Sequence, residues 1–245
     1  MKLRHVFRVH HDAIDQMGND MPWINGLDLG CAQDFTALAC LEQQRIIDPI
    51  MRVPSRKWTY QVRHMERYEL GTSYPVMIEA AKRTLEKPPL AGSRLAIDFT
   101  GVGRPVLDII NLIGLPVKRA PILITGGHTV SFDKSTNAWH VPKKDLVSTL
   151  QILMQSGRLK IAKGMPLADK LSTELSNFRV KITASANESF GAWRDGQHDD
   201  LVLAVALACW LGENVGNGDV KGIGLPPVGE RNILESAPSG AFAFD

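Results

Sequence analysis

The chain has 245 residues, 44% apolar and 22% charged, with a formal net charge of +2. That length suits one large domain with appendages, the composition excludes a disordered or fibrous chain, and the charge balance is too even to name a partner. The three cysteines, Cys31, Cys40 and Cys209, show no zinc spacing and sit in apolar stretches, so buried free thiols in a reducing compartment are expected.

Residues 1–22 carry His5, His10 and His11 but no continuous apolar core, and read as an N-terminal extension or linker, not a signal peptide. Ile24 to Leu29 predicts a first strand with Asp28 set inside an apolar run. A turn over Gly30–Phe35, which carries Asp34, leads to a second strand over Thr36–Gln43, and Ile46–Val53 supplies a third before Pro54. Tyr74 to Glu86 has helical spacing, with Val76, Met77, Ala80, Ala81 and Leu85 apolar, Thr72 or Ser73 as cap and Pro88-Pro89 as terminator. Arg94 to Phe99 is a compact strand that bears Asp98 and passes through Gly101-Val-Gly-Arg-Pro into a helix over Val106–Leu112. Asp98 therefore lies where a strand turns into a helix, the place at which open α/β sheets bind ligands. The GVG sequence lacks GxGxxG spacing and no GxxxxGK[ST] occurs, which argues against a nucleotide loop.

Val117 to Thr125 predicts a further strand closed by Gly126-Gly127, with Thr129–Phe132 as its short hairpin partner. A helix follows from Lys143 to about Ser156, with Leu146, Val147, Leu150 and Leu153 on one face. Arg158–Ile161 is strand-like, Ala168–Asn177 is helical with Leu171, Leu175 and Phe178 inward, and Phe178–Thr183 returns as an edge strand. His198 introduces a helix that opens at Asp199 or Asp200 and runs to about Trp210. Its apolar run Leu201–Leu211 is shorter than the about 20 residues that span a bilayer, so no membrane partner is expected. From 212 to 245 the chain is rich in Gly and Pro and reads as a flexible tail.

Asp28, Asp98 and the pair Asp199-Asp200 make sense together if the strand ends converge. Converging carboxylates repel one another, and a divalent cation is the usual compensation. Oxygen ligands favour Mg²⁺ or Mn²⁺, and two such ions about 4 Å apart activate water and stabilise a leaving oxygen in phosphodiester hydrolysis. Between Val141 and Lys181, Lys143, Lys144, Arg158, Lys160, Lys163, Lys170, Arg179 and Lys181 outnumber Asp145, Asp169 and Glu174, a balance suited to a polyanion. Plainer readings exist for both features: acids at a helix start are favourable as caps alone, and a basic stretch is also an ordinary solvated face.

The segments GLDLGCAQDFTA, GTSYP, LAIDFTGVGRPVLDII, ILITGG, WHVPKKDLVSTLQ, LKIA with LADKLSTELSNF, and GQHDDLVLAVALACW follow one another over residues 23–211. In order and spacing they resemble the C-terminal nuclease domain of the tailed-phage terminase large subunit, of the ribonuclease H-like superfamily. The resemblance implies an α/β fold with a central mixed β-sheet flanked by helices. It also implies a Mg²⁺- or Mn²⁺-dependent endodeoxyribonuclease that cuts double-stranded viral DNA during genome packaging, with two ions. By motif, Asp28 and Asp98 match the first two metal-binding carboxylates, and Asp200 matches the third with Asp199 as its rival. Asp34 matches a position that assists the metal. His198 orients a carboxylate, contacts phosphate or belongs structurally to the helix cap. Lys143, Lys144, Arg158, Lys160, Lys163 and the LITGG hairpin are candidates for guiding DNA. Implied partners are double-stranded DNA, the phage portal, the small terminase subunit and a separate ATPase domain, since the chain has no Walker A lysine. The implied location is the cytoplasm of an infected or lysogenic bacterial host. The rival readings are a resolvase-like nuclease for branched DNA, an actin-like nucleotide-binding protein and a packaging module without catalysis.

Overall fold

The structure is a computed structural model that describes residues 22–30, 34–177 and 199–215. Cys31, the edge strand expected over 178–183, His198, the extension before residue 22 and the tail after residue 215 lie outside the described residues. The elements are β1 (Trp23–Asp28), β2 (Thr36–Ile47), β3 (Pro54–Tyr68), α1 (Tyr74–Leu85), β4 (Arg94–Asp98), α2 (Gly103–Ile113), β5 (Lys118–Thr125), β6 (Ser131–Asp133), β7 (Ala138–Pro142), α3 (Lys143–Gln155), β8 (Leu159–Ile161), α4 (Ala168–Asn177) and α5 (Asp200–Asn214). They build an eight-stranded mixed sheet in the order β6-β7-β5-β4-β1-β2-β3-β8. β2 and β6 run against the other six strands.

Both faces of the sheet are covered, and the period of two along each strand sorts its side chains between them. Trp23, Leu27, Leu38, Cys40, Leu95 and Ile97 pack with Ile78, Leu85 and Ile110 of α1 and α2. Ile24, Ala37, Ala39, Ala96 and Ile122 pack on the other side with α3, α4 and α5. That second face is paved with small residues, so α5 comes down close to the sheet. Roofed in turn by α3 and α4, α5 is buried on every side, which is why its sequence is apolar all round. It runs on to Asn214, past the end expected at about Trp210.

Two expectations for strands are corrected. Ile46–Val53 is no strand of its own: β2 continues to Ile47, and residues 48–53 form the turn into β3, a strand of fifteen residues. Asp48 makes that turn, its Oδ1 accepting the N–H groups of Ile50 (2.9 Å) and Met51 (2.8 Å). The apolar side chains of Ile50 and Met51 project into solvent from its tip. The short strand after Gly126-Gly127 is β6, and its hairpin partner is β7, not β5. Asp133 turns that hairpin by accepting from Ser135 and Thr136, while β5 and β7 are parallel neighbours.

Candidate active site

β1, β3, β4, β5, β7 and β8 all end at one edge of the sheet, and the acids gather there. Asp28 closes β1 and Asp98 closes β4; the two strands are parallel and these residues are register partners. Adjacent strands lie about 4.8 Å apart, so the two carboxylates stay together for as long as the ladder holds. By the period of two, Asp28 leaves β1 on the same face as Gly26, and that face carries α5. A Cβ at Gly26 would stand 1.9 Å from the carbonyl oxygen of Ala204 and 3.0 Å from the N of Ala208. Asp200, Ala204 and Ala208 repeat every four residues and form one stripe of the helix. Two residues along the strand from Gly26 is Asp28; one turn back along the helix from Ala204 is Asp200. The close approach that seats α5 therefore also sets Asp200 beside Asp28. Asp28, Asp98 and Asp200 are 7%, 6% and 3% exposed.

Burial lifts the Asp28 carboxyl well above its ordinary range, and the charges of Asp98, Asp200 and Asp199 lift it further against Lys143. Burial pushes Asp98 up to about 6, a rise restrained by Thr100, whose N–H donates to Asp98 Oδ1 at 2.8 Å, and by Lys143. Two cations of the chain answer these acids. Lys143 opens α3 at the end of β7 and places Nζ 3.8 Å from Asp199 Oδ2, its charge bearing also on Asp28 and Asp98. Arg67, at the end of β3, places Nη2 2.8 Å from Asp200 Oδ2 and donates through Nη1 to Glu174 Oε1 at 3.4 Å. Its guanidinium lies 3.6 Å from the centre of the Phe35 ring. Glu174 of α4 accepts the N–H groups of Leu201 (3.1 Å) and Val202 (3.4 Å) at the start of α5. Its carboxyl is pushed up to about 7 by burial, with Arg67 opposing and Asp200 adding to the rise.

No protein-family model matches the chain. Over 186 residues, 75% of its length, it is 26% identical to the terminase large subunit of Thermus phage G20c, and as similar to that of Thermus virus P23-45. The chain spans 30% of the length of these relatives. The crystal structure of the large terminase nuclease from thermophilic phage G20c matches it with a TM-score of 0.51 at 24% identity, covering 76% of this chain and 80% of that one. The fold is that of a large terminase nuclease. With it come the mixed sheet and flanking helices implied by the motifs.

Within the terminase-nuclease fold, the charges of Asp98, Asp199 and Asp200 all bear on Asp28, and the backbone of Asp34 lies against Gly30. The Asp34 residue is exposed. Of the five basic candidates, Lys143 faces the acids, whereas Lys144 points to the rim with Nζ 2.9 Å from His128 Nδ1. Lys160 and Lys163 are exposed in and just beyond β8. Arg158 is spent on structure, paired with Glu213 at 2.6 Å and donating to the Trp58 carbonyl at 2.7 Å. Arg67 and Glu174 escaped the sequence reading. Their signal was a charged residue at an inward position: Arg67 two residues beyond buried Met65, and Glu174 on the same helix face as Leu171.

Among the described residues no three His, Cys, Asp or Glu side chains stand gathered as a ready ligand set. Asp200 is turned to Arg67 and Asp199 to Lys143. The donor chemistry nevertheless fits a hard divalent cation: the donors are all carboxylate oxygens, they sit at the ends of packed elements, and Asp28, Asp98, Asp199, Asp200 and Glu174 outweigh Lys143 and Arg67 in charge.

That imbalance sets a pH dependence. Asp28, Asp98 and Glu174 all have folded values above their unfolded ones, so the stability they contribute is full below about pH 4, and the shares of Asp98 and Glu174 are lost as pH rises through about 6 and about 7. In a chelator, the unfolding temperature of the full chain therefore falls between pH 5 and pH 7.5. The Asp98→Asn variant falls less, because a group that cannot ionise drops out of the sum. Scanning calorimetry at the two pH values checks this, and an equal fall in both proteins contradicts it.

Proposed function

We propose that the chain is a divalent-cation-dependent endonuclease acting on double-stranded viral DNA during genome packaging, with a pair of Mg²⁺ or Mn²⁺ ions held by Asp28, Asp98 and Asp200 and with Asp199 beside them. The observation that carries this reading is the register pair Asp28–Asp98 at the strand ends, brought against the first turn of α5 in a chain similar to terminase large subunits. Cations bound there supply neutralising charge and an acidified water for phosphodiester hydrolysis. The chain's own part is to hold the acids in place. The β1–β4 ladder fixes one pair, the Thr100 N–H keeps Asp98 oriented, and α5 delivers Asp200 from above. Lys143, which Asp199, Asp28 and Asp98 all face electrostatically, limits their repulsion and would meet an incoming phosphate. Lys144 with His128 on one flank, and Lys163 beyond β8 on the other, offer charge to the DNA backbone on either side of the cluster. The portal, the small terminase subunit and a separate ATPase domain belong to the same reading as partners.

The test uses the purified chain on supercoiled plasmid, linear duplex and four-way junctions, with Mn²⁺, Mg²⁺ or EDTA. Plasmid and linear duplex are expected to be cut with either cation and left intact in EDTA. Cleavage that persists in EDTA, or a strong preference for junctions, overturns the reading.

A further inference from the structure

Next to the acid cluster lies a buried arginine–glutamate pair. The side chains of Arg67 and Glu174 are 6% and 7% exposed. Removing such charges from water costs several kcal/mol unless each finds partners. Both do, and the partners converge on one residue. The Arg67 guanidinium lies over the ring of Phe35, just before β2, one nitrogen reaches Glu174 on α4, and another reaches Asp200 on α5. Glu174 then takes up the N–H groups of Leu201 and Val202, the two residues that follow Asp200. Asp199, in the N-cap position of α5, makes no side-chain cap bond of its own. The start of α5 is thus capped from another helix, and its first acid is tied to the end of β3. Glu174 holds the backbone of the two residues that follow Asp200, and Arg67 reaches its carboxylate.

We propose that Arg67 and Glu174 are positioning residues for Asp200, a buried clamp that sets how tightly the acid cluster takes a divalent cation. The proposal rests on reading that cluster as a cation-dependent centre. A guanidinium is needed because it is planar and forked: it lies over a ring while its separate nitrogens address two carboxylates. An ammonium at the same position has the same charge and neither property. The Arg67→Lys change therefore isolates position from charge. Loss of Arg67's positive charge alone would favour a bound cation, so a weaker site in the charge-conserving variant comes from misplacement of Asp200.

The experiment measures Mn²⁺ binding to the full chain by calorimetry at pH 7.5, with circular dichroism as the check on folding. Wild type is expected to bind, and Asp28→Asn to bind far more weakly. Arg67→Lys and Glu174→Gln are each expected to weaken binding by about 10- to 100-fold, the size usual for groups that orient metal ligands. In an Asp200→Asn background the Arg67→Lys change is expected to add almost nothing, because its effect runs through that acid. If wild type takes up no Mn²⁺, the cation-dependent reading fails and this proposal falls with it. If wild type binds through Asp28 and folded Arg67→Lys binds equally well, the clamp alone is overturned. Full additivity with Asp200→Asn also overturns it. Should Arg67→Lys not fold, Glu174→Gln decides, since its amide oxygen still accepts from α5 while the charge facing Arg67 is gone; unchanged affinity there refutes the clamp.

Discussion

Asp28→Asn and Asp98→Asn each lower cation-supported cleavage of duplex DNA by about 10³-fold or more, while the unfolding temperature in chelator stays level or rises. The two effects have opposite signs for one reason. Both carboxyls are buried beside other acids, which lifts them above their ordinary range and makes the charged forms costly to the fold. An amide of the same shape removes that cost, and at residue 98 it still presents an oxygen to the Thr100 N–H. On the proposed reading it also removes a carboxylate that would hold the cations, and those cations would offset the charge developing on the phosphate. A loss of about 4 kcal/mol in transition-state stabilisation is a factor of about 10³ in rate. Asp34→Asn provides the contrast: Asp34 is exposed, so its effect stays within about 10-fold. Initial rates of plasmid nicking with Mn²⁺, set beside thermal unfolding, test all three. Cleavage by Asp28→Asn or Asp98→Asn within 10-fold of wild type places the chemistry elsewhere. Lost activity with a lowered unfolding temperature points instead to damage of the fold.

How far such a site can be read from sequence is shown by its own members. Asp28 and Asp98 were legible because each interrupts an apolar run just before a glycine-containing turn, so a costly charge stands where a strand ends. Their pairing was not: it depends on β4 lying beside β1 in register, after β2, β3 and α1 have intervened. Asp200 was legible as a helix opening. What fixes it against Asp28 is Gly26, which in the sequence is only a gap in a strand pattern. β3 was lost because its two faces differ in kind. Met65 and Arg67 point to α4 and α5, whereas Glu66 serves the opposite side, accepting from His64, Tyr68 and Thr84. Polar residues on both faces hid the period of two, and with it Arg67. Lys143 was read as a contact for DNA by its sign. Its surroundings of Asp199, Asp28 and Asp98 make it first a counter-charge to the acids.

Gly26→Ala has the largest effect on stability, about 3 kcal/mol or more, although it adds a single methyl group. The methyl carbon has nowhere to go: it would sit 1.9 Å from the Ala204 carbonyl oxygen, a distance that real side chains essentially never show, and that oxygen belongs to the backbone of a buried helix. Relief requires α5 to withdraw by about 1 Å. α5 packs at once on β1, β2, β4, α3 and α4, and an interior packed this densely transmits the shift instead of absorbing it. Trimming the neighbour does not help. Ala204→Gly leaves the carbonyl in place, so the double variant stays as unstable as Gly26→Ala or becomes worse, through the glycine placed in mid-helix. Urea denaturation of the single and double variants checks both statements; a loss below about 1 kcal/mol for Gly26→Ala would mean that α5 is not seated on β1 as described. Where the variant remains folded, its acids report the same displacement. Asp200 moves away from Asp28 with its helix, and Mn²⁺ binding weakens although no acid has been changed.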